Sequence, residues 1–182
     1  MKTMAPLKEE HVVLVDTDDR EIGTMSKSRA HHEGKLHRAF SIFIFNSQGR
    51  LLLQRRAADK YHSGGLWTNS CCSHPRPGEP IAQAATRRLK EELGFACDLS
   101  PEFTFTYKAE VGEGLVEHEF DHVFFGAYDG PVLPDPREVS EVRWMRMNDL
   151  ADDLSTSPEH YTAWLSICWP RIRERFIALR RA

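Results

Sequence analysis

Cysteine is scarce in this chain. Of 182 residues only Cys71, Cys72, Cys97 and Cys168 are cysteine, and the vicinal pair fits neither a disulfide framework nor a Cys-x-x-Cys zinc ribbon. Reduced thiols are expected. No apolar run reaches membrane length, and residues 1–10 mix Lys2, Lys8 and two glutamates without a signal-like stretch, so a cytoplasmic protein with no membrane partner is expected. Excess charge of one sign is also missing. With 24 Lys and Arg against 27 Asp and Glu, the formal net charge of −3 gives no general pull toward nucleic acid, and any polyanionic ligand must be held locally. Neither an internal repeat nor a low-complexity linker divides the chain, so residues 1–182 are read as a single domain with its own core. The oligomeric state stays open.

What the chain does contain is a series of apolar runs separated by turn signals. His11–Asp16 and Glu21–Gly23 read as strands around the turn Thr17-Asp18-Asp19-Arg20, and the polar stretch Lys27–His37 as a short helix and loop. Ala39–Phe45 and Leu51–Leu53 flank Asn46-Ser47-Gln48-Gly49, a hairpin signal. A helix is expected from Pro80 to Gly94, because Ile81, Ala85, Leu89 and Leu93 recur at helical spacing and Gly94 suits the stop. Phe103–Lys108, Val116–Tyr128 and Val139–Trp144 read as strands, and Met147–Leu154 as a helical turn or two. Pro158–Leu179 is helical, with Pro170 expected to kink or break it. Strands, one central helix, further strands and terminal helices give an α+β class, a mixed α/β/α sandwich rather than a doubly wound parallel sheet.

The stretch from Trp67 to Gly94 concentrates reactive groups: a thiol, an imidazole, a Pro/Gly turn, then a helix carrying Arg88, Glu91 and Glu92 on the flank of its apolar stripe. On the strand from Val116, the period of two puts Glu117, Glu119 and Asp121 on one face. With His31, His37 and His74 these glutamates would suit Zn²⁺, Mn²⁺ or Mg²⁺. Each histidine taken singly also fits ordinary packing, and His32 and His118 read as solvent-facing neighbours. Cys72 could be a thiolate base or an inert buried thiol. Lys27, Arg56, Lys60 and Arg88 could be surface charges, but Arg56 and Lys60 flank a Tyr-His-Ser-Gly-Gly loop able to grip a phosphate. The run Arg171, Arg173, Arg175, Arg180 and Arg181 reads as a solvated helix face meeting the C-terminal dipole.

The pattern Ser73-x5-Glu79-x7-Arg87-Arg88-Leu89-x-Glu91-Glu92-x-Gly94 resembles a degenerate Nudix box, which usually has Gly first and Arg-Glu where this chain has Arg87-Arg88. Both departures argue against ordinary Nudix hydrolysis, since the second puts a cation where a metal-binding carboxylate is expected. Leu36-His37-Arg38-Ala39-Phe40-Ser41, the Trp67–Pro75 segment and Glu117-His118-Glu119 occur in the same chain, and together they resemble type I isopentenyl diphosphate isomerase from about Glu10 onward.

That resemblance implies a small-molecule diphosphate substrate and a 1,3 allylic proton shift. It implies one divalent-metal site (Mn²⁺, Mg²⁺ or Zn²⁺) at His31, His37, His74, Glu117 and Glu119, and a Mg²⁺ at Glu92 with the backbone carbonyl of Cys72. It further implies diphosphate contacts from Lys27, Arg56, Lys60 and Arg88, a proton from Glu119 paired with Tyr107, a Cys72 base, and Trp164 over the allyl unit. The alternatives are a Nudix hydrolase of a nucleoside diphosphate derivative and a module with a structural metal.

Overall fold

The computed structural model describes residues 10–181. Residues 1–9, including the stretch searched for a signal, lie outside the described residues.

Among the described residues, nine strands form one mixed sheet. In chain order they are β1 (His11–Val15), β2 (Glu21–Ser26), β3 (His37–Phe45), β4 (Arg50–Arg56), β5 (Trp67–Thr68), β6 (Cys71–Ser73), β7 (Leu99–Glu110), β8 (Val116–Ala127) and β9 (Val139–Arg146). The helices are α1 (Lys27–Glu33), α2 (Ile81–Leu93), α3 (Met147–Thr156) and α4 (Ala163–Leu179). Strand β3 is the hub. It runs parallel to β8 from the pair His37 and Glu119 to the pair Phe45 and Ala127, and antiparallel to β1, β4 and β6. Strand β4 carries β9 and β5 on its flank, and β7 pairs antiparallel with β8.

Alternation along β3 divides the core between two faces. Phe43 and Phe45 join Phe105, Phe125, Leu150, Trp164, Leu165 and Ile172, which packs α3 and α4 on one side of the sheet. Phe40, Ile42 and Ile44 join Ala85, Leu89 and Leu93, which packs α2 on the other. This is the α/β/α sandwich expected from the sequence. The stripe of α2 is buried as its spacing requires, with Pro80 just ahead of the first turn and Gly94 left-handed at φ 77°. A side chain at position 94 would sit 2.5 Å from the Leu133 carbonyl oxygen, so only glycine fits there.

One expectation narrows. Helix α4 runs through Pro170 without a break. The ring faces solvent there, so the carbonyl that loses its donor can turn to water, while Trp164, Leu165, Cys168, Trp169 and Ile172 hold the other face in the core. The terminal arginines are exposed, as read from the sequence, with Arg180 at the C-cap of α4, and Arg175 pairs with Glu102 at 2.6 Å. Among the described residues no helix is long and apolar enough to cross a membrane.

Candidate active site

The parallel register of β3 and β8 sets His37 directly opposite Glu119. His37 is fully buried, and its Nδ1 lies 2.8 Å from the Lys35 carbonyl oxygen. A carbonyl only accepts, so Nδ1 carries a hydrogen there. The other ring nitrogen, Nε2, faces His74 Nε2 at 3.2 Å and Glu119 Oε1 at 3.6 Å, while His74 Nε2 lies 2.9 Å from the same oxygen. His31 comes in from α1, its ring centroid 5.1 Å from that of His37. It is completely buried, and among the described residues neither of its ring nitrogens has a hydrogen-bond partner.

Ligand atoms of His31, His37, His74 and Glu119 all lie within 4.8 Å of one another. Burial pushes His31 down to about 2 and His74 down to about 4, so both stay neutral and able to donate a lone pair. Orphaned imidazole nitrogens, facing ring nitrogens and one carboxylate make a donor set that fits a divalent metal.

Glu117 lies outside that tightest group but is joined to it. The Tyr107 hydroxyl is 2.9 Å from Glu117 Oε2 and 2.7 Å from Glu119 Oε2. One hydroxyl hydrogen thus faces two carboxyls. Burial, reinforced by the charge of Glu119, raises Glu117 well above the usual carboxylate range. Burial also opposes the charge on Glu119, yet the His37 and His74 contacts hold its carboxyl well below that range. The Tyr107 hydroxyl thus links a carboxyl pushed toward its protonated form to one pushed toward its ionised form.

Cys72, held on β6 opposite Ser41, opens onto a cavity of about 260 Å³ that Tyr107, Glu117, Glu119, His74 and Trp164 also line. Burial pushes its thiol up to about 12, with Arg56 acting in the opposite direction. Trp164 is 2% exposed and is fixed by a bond from its Nε1 to Asn69 Oδ1 at 3.2 Å. Arg56 lies 5.2 Å over its ring.

Lys27, Arg56, Lys60 and Arg88 all reach this cavity, although they come from α1, β4, the following loop and α2. Three have internal acids: Lys27 pairs with Glu10 at 3.2 Å, Lys60 with Glu138, and Arg88 with Glu91 at 2.8 Å and Glu92 at 2.6 Å. Glu92 is buried, its Oε1 accepting from Arg88 and its Oε2 from Gln54 at 2.8 Å. Each oxygen retains accepting capacity, and Cys72 lines the same cavity, so the residues present fit a Mg²⁺ beside Glu92.

Two residues were missed in the sequence. His62 turns inward from the loop after β4, with Nε2 3.4 Å from Glu117 Oε1 and its ring edge-on to Trp164. The signal was the adjoining Gly-Gly: a side chain at Gly64 would meet the Ala58 carbonyl oxygen at 2.3 Å, so the loop folds back on itself and carries His62 in. Glu138 had no signal in its neighbourhood. Of the two histidines read as solvent-facing, His32 is exposed, but His118 is half-buried and bonds the Gly34 carbonyl through Nδ1 at 3.0 Å. Cys71 is fully buried and packs under α2.

Fold and site together define a Nudix protein: the family model for the NUDIX domain matches residues 35–165. The fold resembles the crystal structure of DR0079 from Deinococcus radiodurans, at TM-score 0.75 and 21% identity over 89% of this chain and 98% of that one. Closer in sequence are isopentenyl-diphosphate Delta-isomerase 2 of Aromatoleum aromaticum, 52% identical over 90% of this chain and 87% of the relative, and the isopentenyl-diphosphate Delta-isomerase of Burkholderia multivorans, 55% identical over 86% and 89%. The same-named protein of Pectobacterium atrosepticum is 48% identical over 96% of this chain and 97% of its own length. The chain belongs to the isopentenyl-diphosphate Delta-isomerase family within the Nudix fold.

Proposed function

We propose that this chain interconverts isopentenyl and dimethylallyl diphosphate in isoprenoid biosynthesis, by protonation and deprotonation at a cavity built from Cys72, Glu119, Tyr107 and Trp164. The observation that carries the reading is the convergence of a thiol, a tyrosine-linked carboxyl pair and four cations on one cavity, in a chain about half identical to named isomerases. The hydrolase alternative is disfavoured by those relatives and by Arg88, a cation where hydrolysis needs a carboxylate. The structural-metal alternative is disfavoured because the relatives are named as enzymes.

An alkene is a poor base, so the reaction needs a strong, well-placed acid and shelter for a tertiary carbocation. Lys27, Arg56, Lys60 and Arg88 anchor the diphosphate, fixing the alkene beside the acid. Glu119 delivers a proton to the terminal methylene, and the positive charge develops at the branched carbon. The Trp164 ring faces that charge, and bound substrate filling the cavity limits the access of water to it. Cys72 as thiolate then takes a proton from the carbon adjoining the cation, and the double bond forms there. Thiol at Cys72 with carboxylate at Glu119, the pattern imposed by the protein groups, is the form the pair reaches after this forward shift and the starting form for the reverse one. Tyr107 and Glu117 offer a route to return a proton to Glu119.

His31, His37, His74, Glu117 and Glu119 would hold a divalent ion, Mn²⁺, Mg²⁺ or Zn²⁺, and Glu92 with the Cys72 carbonyl a Mg²⁺ beside the diphosphate. The chemistry supplied there is positive charge, which makes the protonated form of Glu119 more acidic and offsets the charge of the diphosphate. We place the protein in the cytoplasm, acting on a small diphosphate with neither nucleic acid nor membrane as partner.

The test is product formation from isopentenyl diphosphate by the wild type, Cys72→Ala and Glu119→Gln, with folding followed by circular dichroism. Each variant should lose at least about 10³-fold in turnover while remaining folded. Retention of most turnover by either variant would remove that residue from the mechanism.

A further inference from the structure

The diphosphate clamp already contains an anion. Glu138, at the entry to β9, lines the cavity and places one carboxylate oxygen on each of two clamp cations: Oε2 on Lys60, and Oε1 3.4 Å from Arg88 Nη2. Those cations come from different elements, the loop after β4 and helix α2. A single carboxylate thus bridges them as the oxygens of a phosphate would. By contrast, among the described residues Arg56 has no carboxylate within ion-pairing distance; its Nη2 donates to the His62 carbonyl at 3.0 Å and its buried Nε has no partner.

The Glu138 backbone is anchored independently of its side chain. Its carbonyl accepts from Ala57 N at 3.0 Å, its own N donates to the Asp135 carbonyl at 2.9 Å, and Asp135 N donates to the Glu92 carbonyl at 3.0 Å. These bonds tie both walls of the clamp together whatever occupies position 138. The carboxylate is therefore not needed to hold Lys60 and Arg88 near each other, and its main effect is on their charge.

We propose that Glu138 is a built-in counter-anion of the clamp, a residue that determines affinity and specificity by competing with the substrate diphosphate for Lys60 and Arg88. This rests on the reading of the cavity as a diphosphate site. A ligand must displace the carboxylate to engage both cations. A diphosphate brings enough charge and enough oxygens to do so, whereas a single phosphate gains less from the exchange. The carboxylate also favours release, because it re-forms its own pairs as the product leaves.

The test is calorimetric titration of inorganic diphosphate and of inorganic phosphate, with Mg²⁺ present, into the wild type, Glu138→Gln and Glu138→Ala, alongside KM and kcat for isopentenyl diphosphate. The alanine variant covers the case in which the glutamine oxygen rebuilds a bond to Lys60. The expected result is diphosphate binding tightened by roughly fivefold in at least one variant, a lower KM with no gain in kcat, and a smaller preference for diphosphate over phosphate. Diphosphate binding unchanged or weakened in both variants would show Glu138 to be only a brace and overturn the inference. Failure of the wild type itself to bind diphosphate would overturn the diphosphate reading and this inference with it.

Discussion

At the scale of single residues, the site is a set of groups held in unusual protonation states by burial. His31 and His74 illustrate the cost. Their folded-state values of about 2 and about 4 lie below the ordinary histidine value near 6.5, so as pH falls through that window the unfolded chain binds protons that the folded chain refuses. Stability from this source is fully present above pH ~6.5 and is lost on acidification toward pH ~4. Urea midpoints measured with a chelator present should therefore fall between pH 7 and pH 5, and His31→Asn should flatten that dependence; an equal slope in the variant would contradict the account. Legibility at this scale was uneven. His31, His37, His74 and Glu119 look ordinary one by one, and the resemblance turned a conceivable ligand set into a single assignment. His62 escaped notice because the Gly-Gly beside it signals a loop that folds back without fixing which way the ring points, and Glu138 because a lone glutamate ahead of an edge strand is usually solvated.

At the scale of elements, spacing was a good guide wherever one face of an element meets the core. The helix from Ile81 to Leu93 and the hairpin of β3 and β4 are both carried by an apolar pattern closed by a turn residue. Strand β7 reaches back to Leu99, further than the pattern from Phe103 indicated, because the irregular pairing between Pro101 and Phe103 absorbs the missing donor. Local chemistry was overridden at Pro170, where five buried residues outweigh one lost hydrogen bond. Pro170→Ala should consequently stabilise the chain, by up to ~3 kcal/mol, since it restores a helix donor at an exposed position. A urea unfolding series would check this, and a destabilised variant would mean that the proline is required by the packing of α4.

For the whole molecule, the decisive fact is that one cavity collects groups from α1, β4, the loop after it, β6, α2, β7, β8 and α4. Sheet topology does the collecting: the parallel pairing of β3 with β8 brings His37 to Glu119 across 82 residues of sequence, the difference between positions 119 and 37. No periodicity in the chain announces a pairing of that range, which is why the α/β/α class was readable from patterns while the site required a resemblance or a structure.

The most direct test of the central claim is proton NMR of isopentenyl diphosphate incubated in D₂O with the Mg²⁺-supplied protein. The account predicts conversion to dimethylallyl diphosphate with deuterium entering a methyl group, because the proton added to the terminal methylene comes from a site that exchanges with solvent. Release of phosphate, or a substrate left unchanged by folded protein, would contradict it.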